Sequence, residues 1–288
     1  MAAPTIEDVS DTAFWIAHHR ALESARPDAA FHDPLAARLA GERGRRISDA
    51  MQTSRVVAWT VTLRTVIIDD FIREAIASGV ETILNLGAGL DTRPYRLDLP
   101  GSLRWIEADY PGVIEYKTTM LEGERPRSRL EHVKIDLAAR NERRSFLEEV
   151  NRSSEKVLVL TEGVVPYLPN DEVASLAQDL RSMEHFRFWV LDYFSPMIVE
   201  YRRKSGMDRQ MGNAPFRFNP PDWFEFFRQQ GWAPSDVRYL LDTAERLRRP
   251  MPMPPLRRIF TAAMTLLAPA RMKDMWRKSL AYVLLTPA

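Results

Sequence analysis

The period of the apolar residues changes along this chain and divides it into three stretches. Up to residue 78 the spacing is helical: Val56, Trp59, Leu63, Ile67 and Phe71 recur every three or four positions and predict one buried helix face. Gly79 follows, where a left-handed residue can close the last turn. From residue 80 short runs alternate with helical stretches, and Thr82–Leu86, Leu103–Ile106, His132–Ile135, Val157–Leu160 and Phe186–Leu191 read as strands. Val157–Leu160 is continuously apolar, as a parallel strand covered on both faces requires. Strand and helix alternating at this spacing predict a doubly wound, mostly parallel α/β sheet. After residue 195 the rhythm loosens. Asn219-Pro220-Pro221 predicts a helix over Trp223–Gln230, with Asn219 as its cap and Gly231 as its end. Val237–Leu241 and Leu280–Leu285 read as closing strands, with residues 242–279 inserted between them. Met251-Pro252-Met253-Pro254-Pro255 forbids regular structure within that insertion, which is expected to cap a pocket. One domain is expected: a helical lid over 1–78, a ligand-binding core over 80–195, and a substrate-side part over 196–288.

Composition adds exclusions. The 288 residues contain no cysteine, which removes thiol nucleophiles, disulfides and cysteine-ligated zinc. The five histidines (His18, His19, His32, His132, His185) have neither metal spacing nor a catalytic pattern, so no metal is expected. A net charge of +1 gives no global pull toward polyanions. The first residues lack the basic and apolar regions of a signal peptide. Ile259–Ala270, nearly all apolar, falls short of the ~20 residues that span a bilayer. A buried helix explains it better than an interfacial one, despite flanking Arg257, Arg258, Arg271 and Lys273. A cytoplasmic, membrane-free protein is expected.

The sharpest chemical signal is the strand ending in Asn85-Leu86-Gly87-Ala88-Gly89-Leu90-Asp91-Thr92. Two glycines permit a tight turn and a close approach of backbone to ligand. Twenty residues beyond Gly87 and Gly89 stand Glu107 and Asp109, and an acid there can accept hydrogen bonds from both hydroxyls of a ribose. Spacing alone leaves both acids open. A dinucleotide fingerprint would place a third glycine where Thr92 stands, and Asp91 puts negative charge where phosphates would lie. S-adenosylmethionine (SAM) satisfies these constraints: it has the adenosine, no phosphate, and a positive sulfonium. Asp136-Leu137 and Glu162-Gly163 follow the third and fourth strands, where doubly wound folds bind ligands. Asp136 could accept the adenine amino group while Leu137 packs on the ring, and Glu162 could lie near the methionine amino group. Arg64 sits on a largely apolar helical stripe, so its guanidinium needs a buried anion: the SAM carboxylate or an internal acid. Arg20 shares that choice.

These residues resemble the leucine carboxyl methyltransferase family, especially its bacterial SAM-dependent branch, which is similar to the polyketide carboxyl methyltransferase of tetracenomycin biosynthesis. The matching pieces are Thr12-Ala13, Arg20-Ala21-Leu22-Glu23-Ser24, Asp33-Pro34-Leu35-Ala36, Arg64 and the stretch from Asn85 to Arg93. Glu107-Ala108-Asp109-Tyr110-Pro111, Lys117, Asp136-Leu137 and Glu162 through Leu168 complete them. The resemblance implies a class I SAM-dependent methyltransferase (Rossmann-like) fold with seven strands, the last antiparallel. It implies that Gly87, Ala88 and Gly89 hold the methionine part, Asp109 the ribose, and Asp136-Leu137 the adenine. Glu162 would lie by the amino group, with Arg64 and Arg20 on the carboxylate. Pro94, Pro166 and the 242–279 insertion depart from the family pattern on the substrate side.

A carboxylate acceptor is already ionised near neutral pH and needs no general base, whereas a hydroxyl usually does. The expected reaction is therefore methyl-ester formation on a small polyketide-like or other secondary-metabolite acid. Arg93, Tyr167 and Tyr193 are its candidate contacts. The alternatives are hydroxyl methylation of a small aromatic metabolite, an NAD-dependent oxidoreductase, and a non-catalytic SAM- or nucleic-acid-binding protein. Arg246–Lys278 carries nine basic residues and one acid, Asp274, which suits either a solvated face or a magnet for acidic substrates. Asn219-Pro220-Pro221-Asp222 lies outside the strand-four position that an adenine amino-methyltransferase motif would occupy.

Overall fold

A computed structural model describes residues 9–51, 54–205, 215–253 and 268–288. The N-terminal stretch forms three helices: α1 (Val9–Ser24), α2 (Ala36–Ala50) and α3 (Ser54–Ala77). The apolar stripe of α3 is buried at Trp59, Leu63, Ile67 and Phe71, whereas Val56 is exposed at its start. Gly79, at φ +89°, ends α3, and the Val80 N–H returns to the Ala75 carbonyl at 3.0 Å.

Seven strands follow: β1 (Thr82–Leu86), β2 (Arg104–Asp109), β3 (Arg129–Lys134), β4 (Val157–Thr161), β5 (Phe186–Phe194), β6 (Trp232–Tyr239) and β7 (Leu280–Pro287). They form one sheet in the order β3-β2-β1-β4-β5-β7-β6. β1 to β5 are parallel to one another, and β7 runs antiparallel between β5 and β6. The order reverses at β1 and β4, the switch point where such sheets bind ligands.

Side chains alternate across β1, sending Leu84 to one layer and Ile83 to the other. On the first face lie α6 (Arg140–Arg152), α7 (Asn170–Arg181) and α9 (Trp223–Gln229), through Leu147, Leu176, Leu180 and Phe227. On the second lie α3 and α10 (Leu240–Arg246), through Leu63, Phe71 and Leu240. α1 and α2 pack on each other through Phe14, Trp15, Leu39 and Ile47, and this cluster takes in Leu90 beyond β1. Short α4 (Arg93–Arg96) and α5 (Pro111–Met120) follow β1 and β2, α8 (Pro196–Ser205) follows β5, and α11 (Ala270–Arg277) precedes β7.

The C-terminal third corrects three expectations. β6 covers Trp232–Tyr239 rather than Val237–Leu241, and Leu240 opens α10. Pro234 is tolerated because β6 is an edge strand whose register shifts between Pro234 and Asp236. The cap of α9 is Asp222, whose carboxylate accepts from the Glu225 N–H at 3.0 Å; the Asn219 N–H instead donates to the Asn170 side chain. The segment 242–279 thus begins inside α10 and ends in the turn between α11 and β7, and residues 254–267, with most of the apolar Ile259–Ala270 run, lie outside the described residues. Among the described residues no helix is long and apolar enough to cross a membrane.

Candidate active site

A cavity of about 1250 Å³ opens beyond the carboxyl ends of β1, β2, β4 and β5. Gly87 and Gly89, at φ +71° and +51°, shape its floor. A Cβ on Gly87 would stand 2.4 Å from Cγ2 of Val164, so only glycine lets the turn after β1 lie against the loop after β4. Parallel pairing of Leu86 with Ala108 brings Asp109 beside this turn. Its Oδ2 accepts from the Gly89 N–H at 2.6 Å and its Oδ1 from the Tyr110 N–H at 2.7 Å. Burial raises the Asp109 pKa against the lowering pull of those two bonds. Glu107, two residues earlier, is fully buried and accepts from Lys117 Nζ at 2.7 Å. Asp109 lines the cavity and Glu107 does not, a distinction that spacing could not make.

A network of ions crosses the floor. Arg93 Nε donates to Asp69 at 2.7 Å, and its Nη1 donates to Asp91 at 2.9 Å and Glu162 at 2.8 Å. Arg96 grips the same Asp69 through both terminal nitrogens, and Arg64 pairs with Glu162 at 2.7 Å. Burial opposes ionisation of Glu162 and Asp91, yet the guanidiniums win. Arg64 and Arg93 hold the Glu162 carboxyl below its usual range, and Arg93 and Lys117 do the same for Asp91. Such groups stay charged because each is paired. Beneath them Asp192 accepts from the Gly163 N–H at 2.7 Å and from the Tyr282 hydroxyl. Burial pushes Asp192 up to about 6 and Tyr282 well above the usual phenol range.

Of the residues singled out from sequence, Arg20, Arg64, Gly87, Ala88, Gly89, Asp109, Leu137 and Glu162 all line the cavity, with Arg93 and Tyr167. The internal-acid option holds for both arginines: Arg20 donates to Asp33 at 2.8 Å and to the Leu90 carbonyl, while Arg64 meets Glu162. Arg93, expected on substrate, is buried among three carboxylates. Two residues lie outside the wall. Asp136 is exposed and caps the Ala138 N–H at 2.9 Å, leaving Leu137 to face inward. Tyr193 points to the opposite side of β5, stacked on Phe224 at 5.2 Å and edge-on to Trp223 at 5.4 Å. The sequence reading missed Asp69, Arg96, Asp192 and Tyr282, whose roles depend on partners 24 or more positions away. It also missed the inward face of α8, though Met197, Ile198, Tyr201 and Arg202 repeat at helical spacing.

Four of the seven described basic residues from Arg246 to Lys278 are held by acids of the same chain. Arg246 meets Asp70 at 3.2 Å, Arg249 meets Glu23 and Asp28 at 3.1 Å, and Lys278 meets Asp274 at 2.9 Å. Arg277 bonds Asp242, whereas Arg257 and Arg258 lie outside the described residues.

The residues present fit a phosphate-free nucleoside carrying positive charge. The turn that glycine alone can form is flanked by the acids Asp109 and Glu162, and Leu137 offers an apolar surface for a base. Fold and crevice together define a class I SAM-dependent methyltransferase. Residues 13–181 match the leucine carboxyl methyltransferase family, and the chain belongs to it. A protein named "Putative S-adenosyl-L-methionine-dependent methyltransferase" from Streptomyces avermitilis is 30% identical over 259 residues, covering 85% of this chain and 90% of the relative. A similarly named protein from Streptomyces coelicolor is 34% identical over 174 residues, 57% of this chain and 62% of its own. A crystal structure of a DUF574 family protein from Streptomyces avermitilis superposes with TM-score 0.54 at 13% identity, covering 96% of this chain and 97% of that one. That likeness shows the fold.

Proposed function

We propose that this methyltransferase acts on the carboxylate of a largely apolar small-molecule acid and releases its methyl ester. The observation carrying this reading is the charge division of the cavity wall. Its carboxylates, Asp91, Asp109, Glu162 and Glu172, follow β1, β2 and β4 or stand in the first turn of α7. The wall built by residues 55–60, 194–202, 215–217, 251–253 and 276–282 contributes Arg55, Arg202 and Arg217 among aromatic and aliphatic side chains, with no acid among its described lining residues. The Arg202 guanidinium lies 3.8 Å above the Phe216 ring. Phe216 in turn packs edge-on to Tyr167 at 5.3 Å and Phe194 at 4.8 Å. The segment is tied to the loop after β4 by the Arg217 N–H, which donates to the Pro166 carbonyl at 2.8 Å. A cation is thereby seated on an aromatic shelf in the cavity wall.

Bound SAM supplies an electrophilic methyl group on a sulfonium. The chain's work is alignment, worth several kcal/mol when reacting atoms are held at attack distance, together with exclusion of water. The acceptor oxygen of an ionised acid carries no proton to remove. The histidines stand apart from the lining: His132 lies 3.2 Å from Glu107, and His185 contacts the Glu155 carbonyl. Pairing of the basic stretch within the chain supports a small acceptor over a nucleic acid. One observation favours a second reading, methylation of a hydroxyl. Tyr282 faces the cavity in front of Asp192, whose carboxyl titrates near neutrality, at about 6.

Radiolabelled SAM with a panel of acids and phenols separates the two. The expected product is an ester that mild alkali hydrolyses. Arg202→Met should raise the KM for the acid about tenfold, ~1.4 kcal/mol, while the SAM Kd stays unchanged. An alkali-stable ether as the sole product would overturn the acid reading.

A further inference from the structure

Next to the main cavity lies a chamber of about 230 Å³. Trp59, Met197, Ile198, Met251, Trp276 and Leu280 line both spaces and form the threshold between them. Beyond that threshold the walls are Leu240, Leu241 and Ser279, with Arg277, whose guanidinium is held by Asp242. The donor-binding groups described above stand elsewhere in the main cavity, so the chamber has no part in holding SAM. The main cavity itself exceeds the ~300–1,000 Å³ that one small ligand usually occupies, as a site for donor plus acceptor requires.

Helix α8 connects the cationic shelf to this chamber. Met197, Ile198, Tyr201 and Arg202 face inward at positions i, i+1, i+4 and i+5. At about 1.5 Å rise per residue, Arg202 and Met197 lie ~7 Å apart along the helix axis. Its Arg202 end meets Phe216, and its Met197 end meets the chamber. A ligand lying along this face would meet a cation first and then Tyr201, Ile198 and Met197.

We infer that the adjoining chamber receives the apolar tail of the acceptor, so that the substrate is an amphiphilic acid: a carboxylate near Arg202 and an extended hydrocarbon end reaching past Ile198 and Met197 to Leu241. This rests on the proposal that the acceptor is an acid. Each methylene that leaves water for such a chamber adds to binding, so the enzyme should favour long acids. Trp276 and Met251, one an aromatic and the other a flexible thioether, suit a threshold that adapts to a sliding chain.

The test is a series of linear saturated acids from butanoic to dodecanoic, assayed as methyl esters with labelled SAM. With the intact chain, KM should fall at least tenfold across the series. Leu241→Trp, at a chamber position that does not itself line the main cavity, should erase that fall. Leu241→Ala should move the optimum to longer acids. An unchanged SAM Kd in both variants certifies the fold. Equal KM for short and long acids, or a length preference that Leu241→Trp leaves intact, would overturn the chamber assignment while the acid reading stands. If no acid of any length were esterified, the acid reading would fall. The chamber assignment would then be decided by calorimetry with the same acids in the presence of S-adenosylhomocysteine. Tighter binding of dodecanoic acid that Leu241→Trp abolishes would support the chamber, and length-independent binding would overturn it.

Discussion

The two ends of the cavity are built by different physics. At the donor end, short backbone bonds and buried ion pairs fix each group: Asp109 on two N–H donors, Glu162 between two guanidiniums, Arg93 among three carboxylates. At the acceptor end the walls are ring stacks and aliphatic side chains on α8, the segment around Phe216, and the chain on either side of residues 254–267. Ion pairs in a dry interior tolerate few substitutions because each removal strands a charge. Apolar contacts are non-directional, and a swap that keeps volume usually costs little. The donor end is therefore suited to one invariant ligand and the acceptor end to a substrate that can diverge without disturbing the fold.

The largest effect should come from the centre of the ion network. Arg93→Met leaves Asp69, Asp91 and Glu162 short of a partner and should cost about 3–5 kcal/mol in urea unfolding. Met197→Leu, a swap that nearly keeps volume on the acceptor side, should cost under about 1.5 kcal/mol. Comparable losses from the two would erase the contrast.

Asp109→Ala should come next, weakening SAM at least tenfold by calorimetry, ~1.4 kcal/mol, with acceptor KM little changed in the folded variant. Unaltered SAM affinity would remove Asp109 from the donor end.

The smallest effects are pH slopes of opposite sign. Burial raises Asp192 from 3.8 to about 6, so the native state binds its proton more tightly than the unfolded chain. Its contribution to stability is full below about 4 and declines as pH rises to about 6. His19 on α1 is the reverse. Burial, with His18 and Arg64 adding to it, lowers His19 from 6.5 to about 4, so stability declines as pH falls through that window. Because the two slopes oppose each other, the Tm of the parent chain should change little between pH 4 and 7, while the difference between parent and each variant should change by several degrees. Relative to the parent chain, Asp192→Asn should gain as pH rises, and His19→Gln should gain as pH falls. Parallel curves for parent and variants would show that neither group titrates out of line with the unfolded chain.

Legibility in the sequence followed the same division. The strands β1, β2, β4 and β5, the glycine turn and most donor-end residues stood out because their signals are local: a run of apolar residues, two glycines, an acid a fixed distance on. Tyr193 stands at a strand end but turns to the other side of β5, and Asp136 stands at a strand end outside the cavity lining, since an end position does not say which way a side chain leaves the sheet. Arg93 looked like a substrate contact because an arginine beside a crevice gives no hint of Asp69 on α3. Asp192 and Tyr282 were silent: Asp192 sits inside an apolar run, and its partner Tyr282 lies 90 residues later on β7.

By itself the sequence determined a doubly wound sheet with a glycine turn after its first strand and acids at the ends of the next strands, because periodicity, glycine conformational freedom and local acid spacing act over a few residues. Which acid faces the crevice, which arginines are consumed by internal carboxylates, and how α8 joins a cation to an apolar chamber were decided only by the tertiary structure. Those outcomes depend on which side chains are buried together, and burial sets the energy of a charge through neighbours that chain order does not reveal.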